Sequence, residues 1–244
     1  MAHPIIHTTI PFAFPGLPQV GVAFTTALTG NISHAVGDDP EGVDAAREAL
    51  GEALGFDSWH SLKQVHGVDM AFDAPESPTG EPSAVVADGQ ATDRPGRALV
   101  VKTADCQPIL LAHESGRFVA GLHVGWRGNV QEFPQAGVHA FCERYGLRPQ
   151  ELLAVRGPSL GPGASEFTNF EMEFGDRFRP FHDPATSRVN LWRLVAAQLE
   201  EAGLLPERIF GLDLCTFDLP LFFSYRREKN LGRQASLIWI RKQP

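Results

Sequence analysis

Cysteine is scarce in this chain: three in 244 residues, an odd number, so no disulfide framework of the secreted kind is built from them and a reducing compartment is expected. A basic excess is missing too. With 21 Lys and Arg against 29 Asp and Glu, the formal net charge is −8, which argues against a nucleic-acid or anionic-membrane surface while leaving room for a local patch that binds one phosphate. No apolar stretch approaches the ~18 residues of a membrane-spanning helix. The opening residues, "MAHPIIHTTIPFAFPGLPQV", lack a positively charged segment followed by an apolar core, so no secretory signal is read there. None of the nine histidines forms a His-x-His pair, and a centre holding four coppers or a blue-copper electron-transfer site is therefore unsupported. These absences leave a soluble, cytoplasmic protein, monomeric or homodimeric, that acts on a small molecule and binds neither nucleic acid nor membrane.

What is present is enough apolar material for one substantial core: 43% of residues are hydrophobic and only 20% charged. Strands and helices alternate without a repeat or a linker, which predicts a single α/β domain over residues 1–244. The start reads as irregular or extended, broken by Pro11, Pro15, Gly16 and Pro18, and a strand follows at Val20–Thr25. In "DDPEGVDAAREALGEALG" an Asp-Pro start, early acids and Val43, Ala46, Leu50, Ala53 and Leu54 at helical spacing predict a helix that ends at Gly55. Residues 74–83 read as a surface loop. Further helices are predicted over 129–145, kinked at or starting from Pro134, and over 190–202. "ASLIWIRK" reads as a closing strand.

Two apolar runs flank "HESGR" in "LVVKTADCQPILLAHESGRFVAGLHVGW", which predicts a β-hairpin turning at Ser115 and Gly116. Its register sets Cys106 opposite residue 123, 124 or 125, with opposed Cβ atoms ~5 Å apart, so Cys106 and His123 can meet. Pro108 cannot donate to a ladder, which puts Cys106 at a bulge or strand end. His66, in "KQVHGVDM", is read on a sharp bend that Gly67 permits, with Val65 and Val68 as core anchors. One thiolate and two imidazoles suit Zn²⁺ with its fourth position open. Spacing alone leaves His123 three readings: a ligand, the base of a Cys106 nucleophile, or a polar residue at a strand end. Asp105 reads either as an orienting or acid-base group or as a turn former. Cys142 and Cys215 read as buried, and Trp126 as a pocket wall.

"KQVHG", "TADCQPILL", "GLHVGWRG", "RGPSLGP", "LCT", "FFSYRR" and "GRQAS" occur in this order across nearly the whole chain, and together they resemble the laccase-domain family, also described as polyphenol oxidase, purine nucleoside phosphorylase or peptidoglycan editing factor. The resemblance implies that His66, Cys106 and His123 are metal ligands, with Zn²⁺ as the ion and Cu²⁺ the alternative. It implies a mixed-sheet α/β sandwich with helices outside, and activity on purine nucleosides without a nucleotide cofactor. Asn31 and Arg47 match family positions near the substrate, whereas Ala27 stands where the family has Arg, Ala46 replaces an Asn, and "GASEF" replaces an aromatic-Glu-Val pattern. A zinc centre makes a water nucleophile available for adenosine deamination. Phosphorolysis needs an anion site, for which Arg127 and the amides after Gly128, and then Arg226, Arg227 and Arg233, are candidates. Other readings are a cysteine- or zinc-dependent hydrolase or amidase editing peptidoglycan precursors, a copper-dependent polyphenol oxidase, and a binding protein that has lost activity.

Overall fold

A computed structural model describes residues 8–37, 39–229 and 231–242; His3, His7 and Asp38, which the sequence reading touches, lie outside the described residues. The chain runs β1 (Thr9–Phe12), β2 (Val20–Thr25), α1 (Pro40–Leu54), β3 (Ser58–Ser61), β4 (Met70–Phe72), β5 (Gly89–Thr92), β6 (Arg97–Thr103), β7 (Gln107–His113) and β8 (Val119–Val124). It continues through α2 (Trp126–Val130), α3 (Phe133–Tyr145), β9 (Leu152–Arg156), α4 (Phe170–Glu173), β10 (His182–Asp183), β11 (Arg188–Val189), α5 (Leu191–Glu201), β12 (Ile209–Gly211), α6 (Tyr225–Glu228) and β13 (Gln234–Ile240).

One sheet has five strands in the order β1-β2-β13-β6-β3, another six in the order β12-β9-β7-β8-β5-β4, and β10 and β11 form a small ribbon. Most neighbours are antiparallel, but β3 with β6, β4 with β5 and β12 with β9 are parallel, so both large sheets are mixed. Val22, Phe24, Leu99, Val101 and Ile238 of the first face Leu110, Ala112, Val119 and Val155 of the second. Residues of opposite parity point outward. Ala98, Val100, Ala235 and Leu237 meet Ala46 and Leu50 of α1, while Ile109, Leu111, Leu122 and Val124 meet Phe133 and Phe141 of α3 and Val195 and Leu199 of α5. The result is a four-layer α/β/β/α sandwich. Because each sheet is covered on both faces, its central strands read as unbroken apolar runs and not as alternation.

Local signals set the helix ends. Gly55 closes α1 in the left-handed region at φ 74°, and the Asn190 side chain accepts from the Arg193 N–H to open α5. The helix expected over 129–145 is two helices. Pro134 has no N–H to offer the carbonyl of Val130, so the chain breaks at Glu132, which stands left-handed at φ 58°, and restarts. The segment around Pro11 takes the extended form of the two expected: β1 is an edge strand, where a missing donor is tolerated. The hairpin pairs Pro108 with His123 and Gln107 with Val124, within the expected register, so Cys106 stands just beyond the ladder, level with Gly125. No described helix is long and apolar enough to cross a membrane.

The outer face of the five-stranded sheet is closed by Trp239, whose indole lies over Gly21 on the neighbouring strand; a Cβ built on Gly21 would overlap that ring. Gly21→Val is expected to destabilise the protein by about 1–3 kcal/mol, despite the strand preference of valine, because the core there has no room. Urea denaturation reads this directly, and unchanged stability would show that the indole can move aside.

Candidate metal centre and substrate cavity

His66, Cys106 and His123 come together although they lie on three separate segments. Their ligand atoms all fall within 4.8 Å of one another, the one cluster of its kind among the described residues. His123 is the penultimate residue of β8 and is buried; Cys106 precedes β7; His66 sits on the loop between β3 and β4. The Cys106 Sγ to His66 Nε2 separation is 3.6 Å, close to the ~3.6 Å edge of a tetrahedron drawn with ordinary zinc–sulfur and zinc–nitrogen bond lengths. The donor set and its spacing fit a zinc-type ion held by three protein ligands.

The residue that assembles the centre is Asp88, which stands immediately before β5 and is 1% exposed. Its Oδ1 accepts from His123 Nδ1 at 2.7 Å and from the His66 N–H at 2.9 Å. Its Oδ2 accepts from the N–H groups of Val65 at 3.0 Å and Gly67 at 2.7 Å. One carboxylate therefore fixes the His66 bend and holds His123 in the tautomer whose Nε2 faces the cluster. Burial alone would push the Asp88 carboxyl up, but the hydrogen bonds from His123, Gly67 and Val65 outweigh it and hold it below the usual carboxylate range. Burial would likewise raise the Cys106 thiol, yet the charge of His123 and hydrogen bonds from both histidines bring it down to about 6.

The bend differs from its expected form. Val65 and Val68 are not core anchors: they are 50% and 36% exposed, and the loop is held by Asp88 instead of by packing. The left-handed residue is His66 itself, at φ 62°, and not Gly67. Gly125 has a requirement of its own. A Cβ there would lie 2.8 Å from His66 Cδ2 and 3.1 Å from Cys106 Sγ, so a side chain would enter the cluster. Cys142 is buried as expected, whereas Cys215 is half-buried and its Sγ accepts from the Gly161 N–H.

A cavity of about 940 Å³ opens onto the three ligands. Asp105, Arg127, Arg226 and Arg233 line it; Asn31, Arg47 and Arg227 do not. Arg47 donates through Nε and Nη2 to the Ile32 carbonyl. Arg227 donates to the carbonyls of Thr216, Phe217 and Phe222. Asn31 ties Ser33, Val36 and the Arg233 N–H together. Of these three, Asn31 holds main chain of cavity-lining residues, whereas Arg47 and Arg227 hold main chain outside the lining. Asp105 is left-handed at φ 88° and accepts from Thr216 Oγ1 and the Arg226 N–H, each at 2.7 Å, so it fastens α6 to the cavity edge. The expected amides after Gly128 lie inside α2, which begins at Trp126 and is five residues long. Arg127 is exposed and lies over the Trp126 ring, 4.4 Å from its centroid. Trp126 in turn packs on Phe167 and Phe174 and forms an aromatic wall.

Two residues of the site, Asp88 behind the ligands and Lys102 on the cavity wall, escaped the sequence reading. Asp88 carried a weak signal, a single acid in the apolar run "AVVADGQAT", because a buried acid must find donors. Lys102 carried none. Its Nζ donates to the Leu62 carbonyl, and burial, followed by the charges of Arg47 and Arg233, pushes its ammonium down to about 8.

The family model described as multi-copper polyphenol oxidoreductase laccase matches residues 19–241. The chain is 34% identical over 234 residues to purine nucleoside phosphorylase YfiH of Escherichia coli, covering 90% of each chain. It is 36% identical over 222 residues to purine nucleoside phosphorylase PA4543 of Pseudomonas aeruginosa, covering 86% of this chain and 85% of that one. Among solved structures, YlmD from Geobacillus stearothermophilus superposes with a TM-score of 0.83 at 27% identity, over 93% of this chain and 94% of that one.

Asp88→Asn keeps the shape but replaces an acceptor oxygen by a donor that faces N–H groups. Its metal affinity is expected to fall ~10- to 100-fold. Competitive titration against a chromogenic chelator measures this, and wild-type affinity would show that the histidines are oriented without Asp88.

Proposed function

The chain belongs to the family described as multi-copper polyphenol oxidoreductase laccase, and from that membership we propose that it is a zinc-dependent purine nucleoside phosphorylase of the cytoplasm, its 244 residues acting as one domain. The observation that carries this reading is the cavity, which is lined by a three-ligand centre, by cationic side chains and by the rings of Trp126 and Phe167, against which a purine face can lie. The names of relatives at 34% and 36% identity support it.

In phosphorolysis the base leaves C1′ of the ribose with the glycosidic electron pair and takes up a proton, while a phosphate oxygen bonds to C1′. Positive charge develops on the sugar, so the phosphate must be held close and oriented. Arg127, Arg226 and Arg233 reach the cavity and are the cations proposed to meet it. His66, Cys106 and His123 would hold the metal. Zinc bound there supplies Lewis acidity toward a substrate oxygen or water, which also supports hydrolytic deamination of adenosine as a second activity. Asp105 acts by position, since both its oxygens already accept hydrogen bonds.

One specific geometry favours a second reading. Asp88, His123 and Cys106 form a carboxylate–imidazole–thiol series, the arrangement of a cysteine hydrolase or amidase working without metal.

Purified protein is expected to carry about one zinc per chain by elemental analysis, and Cys106→Ser to lose both the metal and inosine or adenosine cleavage. Full hydrolytic activity in chelator-stripped protein, abolished by iodoacetamide, would favour the cysteine reading instead. Oxidation of phenols is expected to be slow and to depend on added copper, because the described residues contain a single three-ligand cluster. Rapid oxidation by protein isolated with several firmly bound coppers per chain would overturn this.

A further inference from the structure

The cavity's cations are not equivalent. Arg127 is exposed and stacked on Trp126. Arg226 is exposed, donates through Nη1 to the Glu166 carbonyl and lies over Phe167. Lys102 and Arg233 are half-buried, and neither makes an ion pair with a carboxylate among the described residues. Lys102 pairs with Ala235 across the β6–β13 ladder, and Arg233 stands two residues before Ala235. The two therefore share the outer face of the sheet as diagonal neighbours, ~7–8 Å apart at the backbone.

Their remaining hydrogen-bonding capacity is directional. The Lys102 ammonium has three N–H donors, of which the Leu62 carbonyl takes one. The Arg233 guanidinium has five, and Nη1 donates to the Gly232 carbonyl. Gln64, which could have supplied an acceptor to Lys102, is turned to its main chain: Nε2 donates to the Lys102 carbonyl and Oε1 accepts from the Lys102 N–H. Asp105, the carboxylate whose charge reaches Arg233, is engaged by Thr216 and the Arg226 N–H. The charges of Cys106 and Asp105 reach Arg233, which places it at the ligand end of the cavity. Two like charges facing one cavity at reduced solvation are an unfavourable arrangement unless an anion joins them.

We propose that Lys102 and Arg233 form an oxyanion subsite beside the metal centre, and that its ligand is a phosphate dianion. The dianion is either free phosphate, in which case the proposal rests on the phosphorolysis reading, or the 5′-phosphate of a nucleotide. In both cases the charge is neutralised beside two half-buried cations, and a tetrahedral oxyanion offers enough oxygens to satisfy donors from both side chains.

The test is direct binding of inorganic phosphate to the metal-loaded full-length protein by calorimetry, in wild type, Lys102→Met and Arg233→Gln. Each substitution is expected to weaken phosphate ~10- to 100-fold, the loss of a charge-assisted contact. Lys102→Met is expected to melt no lower than wild type, since it removes a poorly solvated charge, which a purely structural lysine would not do. Undiminished phosphate binding in the variants, or a larger loss in Arg127→Ala than in either, would overturn the subsite. Where Lys102→Met does not fold, Arg233→Gln gives the same reading. If adenosine and phosphate bind together, free phosphate is the ligand; if AMP displaces phosphate far better than adenosine does, the subsite takes the substrate's own phosphate. Nucleoside cleavage is measured separately, so its absence from wild type would count against phosphorolysis while leaving the binding result to decide the subsite.

Discussion

The buried carboxylate of Asp88 is the interaction on which the centre depends. A carboxylate removed from water is unfavourable unless donors surround it, and this one has four: three consecutive N–H groups of the loop carrying His66, and Nδ1 of His123. The same residue's carbonyl accepts from the His123 N–H at 2.7 Å, so backbone and side chain both register β8 against the segment entering β5. Loss of any one donor would leave the others holding a charge they no longer balance. The two histidines are thus coupled through one acid, and neither is free to adjust alone.

That acid can stay dry because of the layers around it. The α/β/β/α arrangement covers both faces of the six-stranded sheet, and β7, β8 and β5 lie in its interior, away from its edges. Its hairpin brings Cys106 level with Gly125, where only a glycine leaves room for Sγ and the His66 ring. The thiol and the imidazoles are positioned by ladder hydrogen bonds and by Asp88, whereas loop packing contributes little: Val65 and Val68 face solvent. A rigid sheet end holding ligands beside an open cavity suits a centre that must keep its geometry while substrates enter.

How much of this could be read beforehand follows the range of each signal. Gly55, Asn190 and Pro134 act on their own turns, and the helix boundaries they mark are where the chain places them, the start of α3 beside Pro134 included. The hairpin register was legible because a short turn fixes it, and it brought Cys106 to His123. The third ligand, His66, rested on chemistry and family resemblance; its bend was misread because the group that forms it lies 22 residues away. Asn31, Arg47 and Arg227 show the same limit. A guanidinium in a sequence announces a charge but not its acceptor. Whether it meets substrate or a backbone carbonyl depends on how distant loops close.

This sorting of the cations bears on how a ligand would lie. Arg47 and Arg227 turn to main-chain carbonyls, and the cations left facing the cavity differ in solvation: Arg127 and Arg226 are exposed against aromatic rings, Arg233 and Lys102 half-buried against the sheet. An anion gains most from cations that water screens least, so the sheet side is the stronger attractor. An apolar ring gains most against Trp126 and Phe167, which line the same cavity. A molecule with a flat apolar part and a charged or phosphate-facing part would find a surface for each within the cavity that opens onto His66, Cys106 and His123. The ordering comes from the walls, and it would hold for any ligand of that polarity, whatever bond the centre then acts upon.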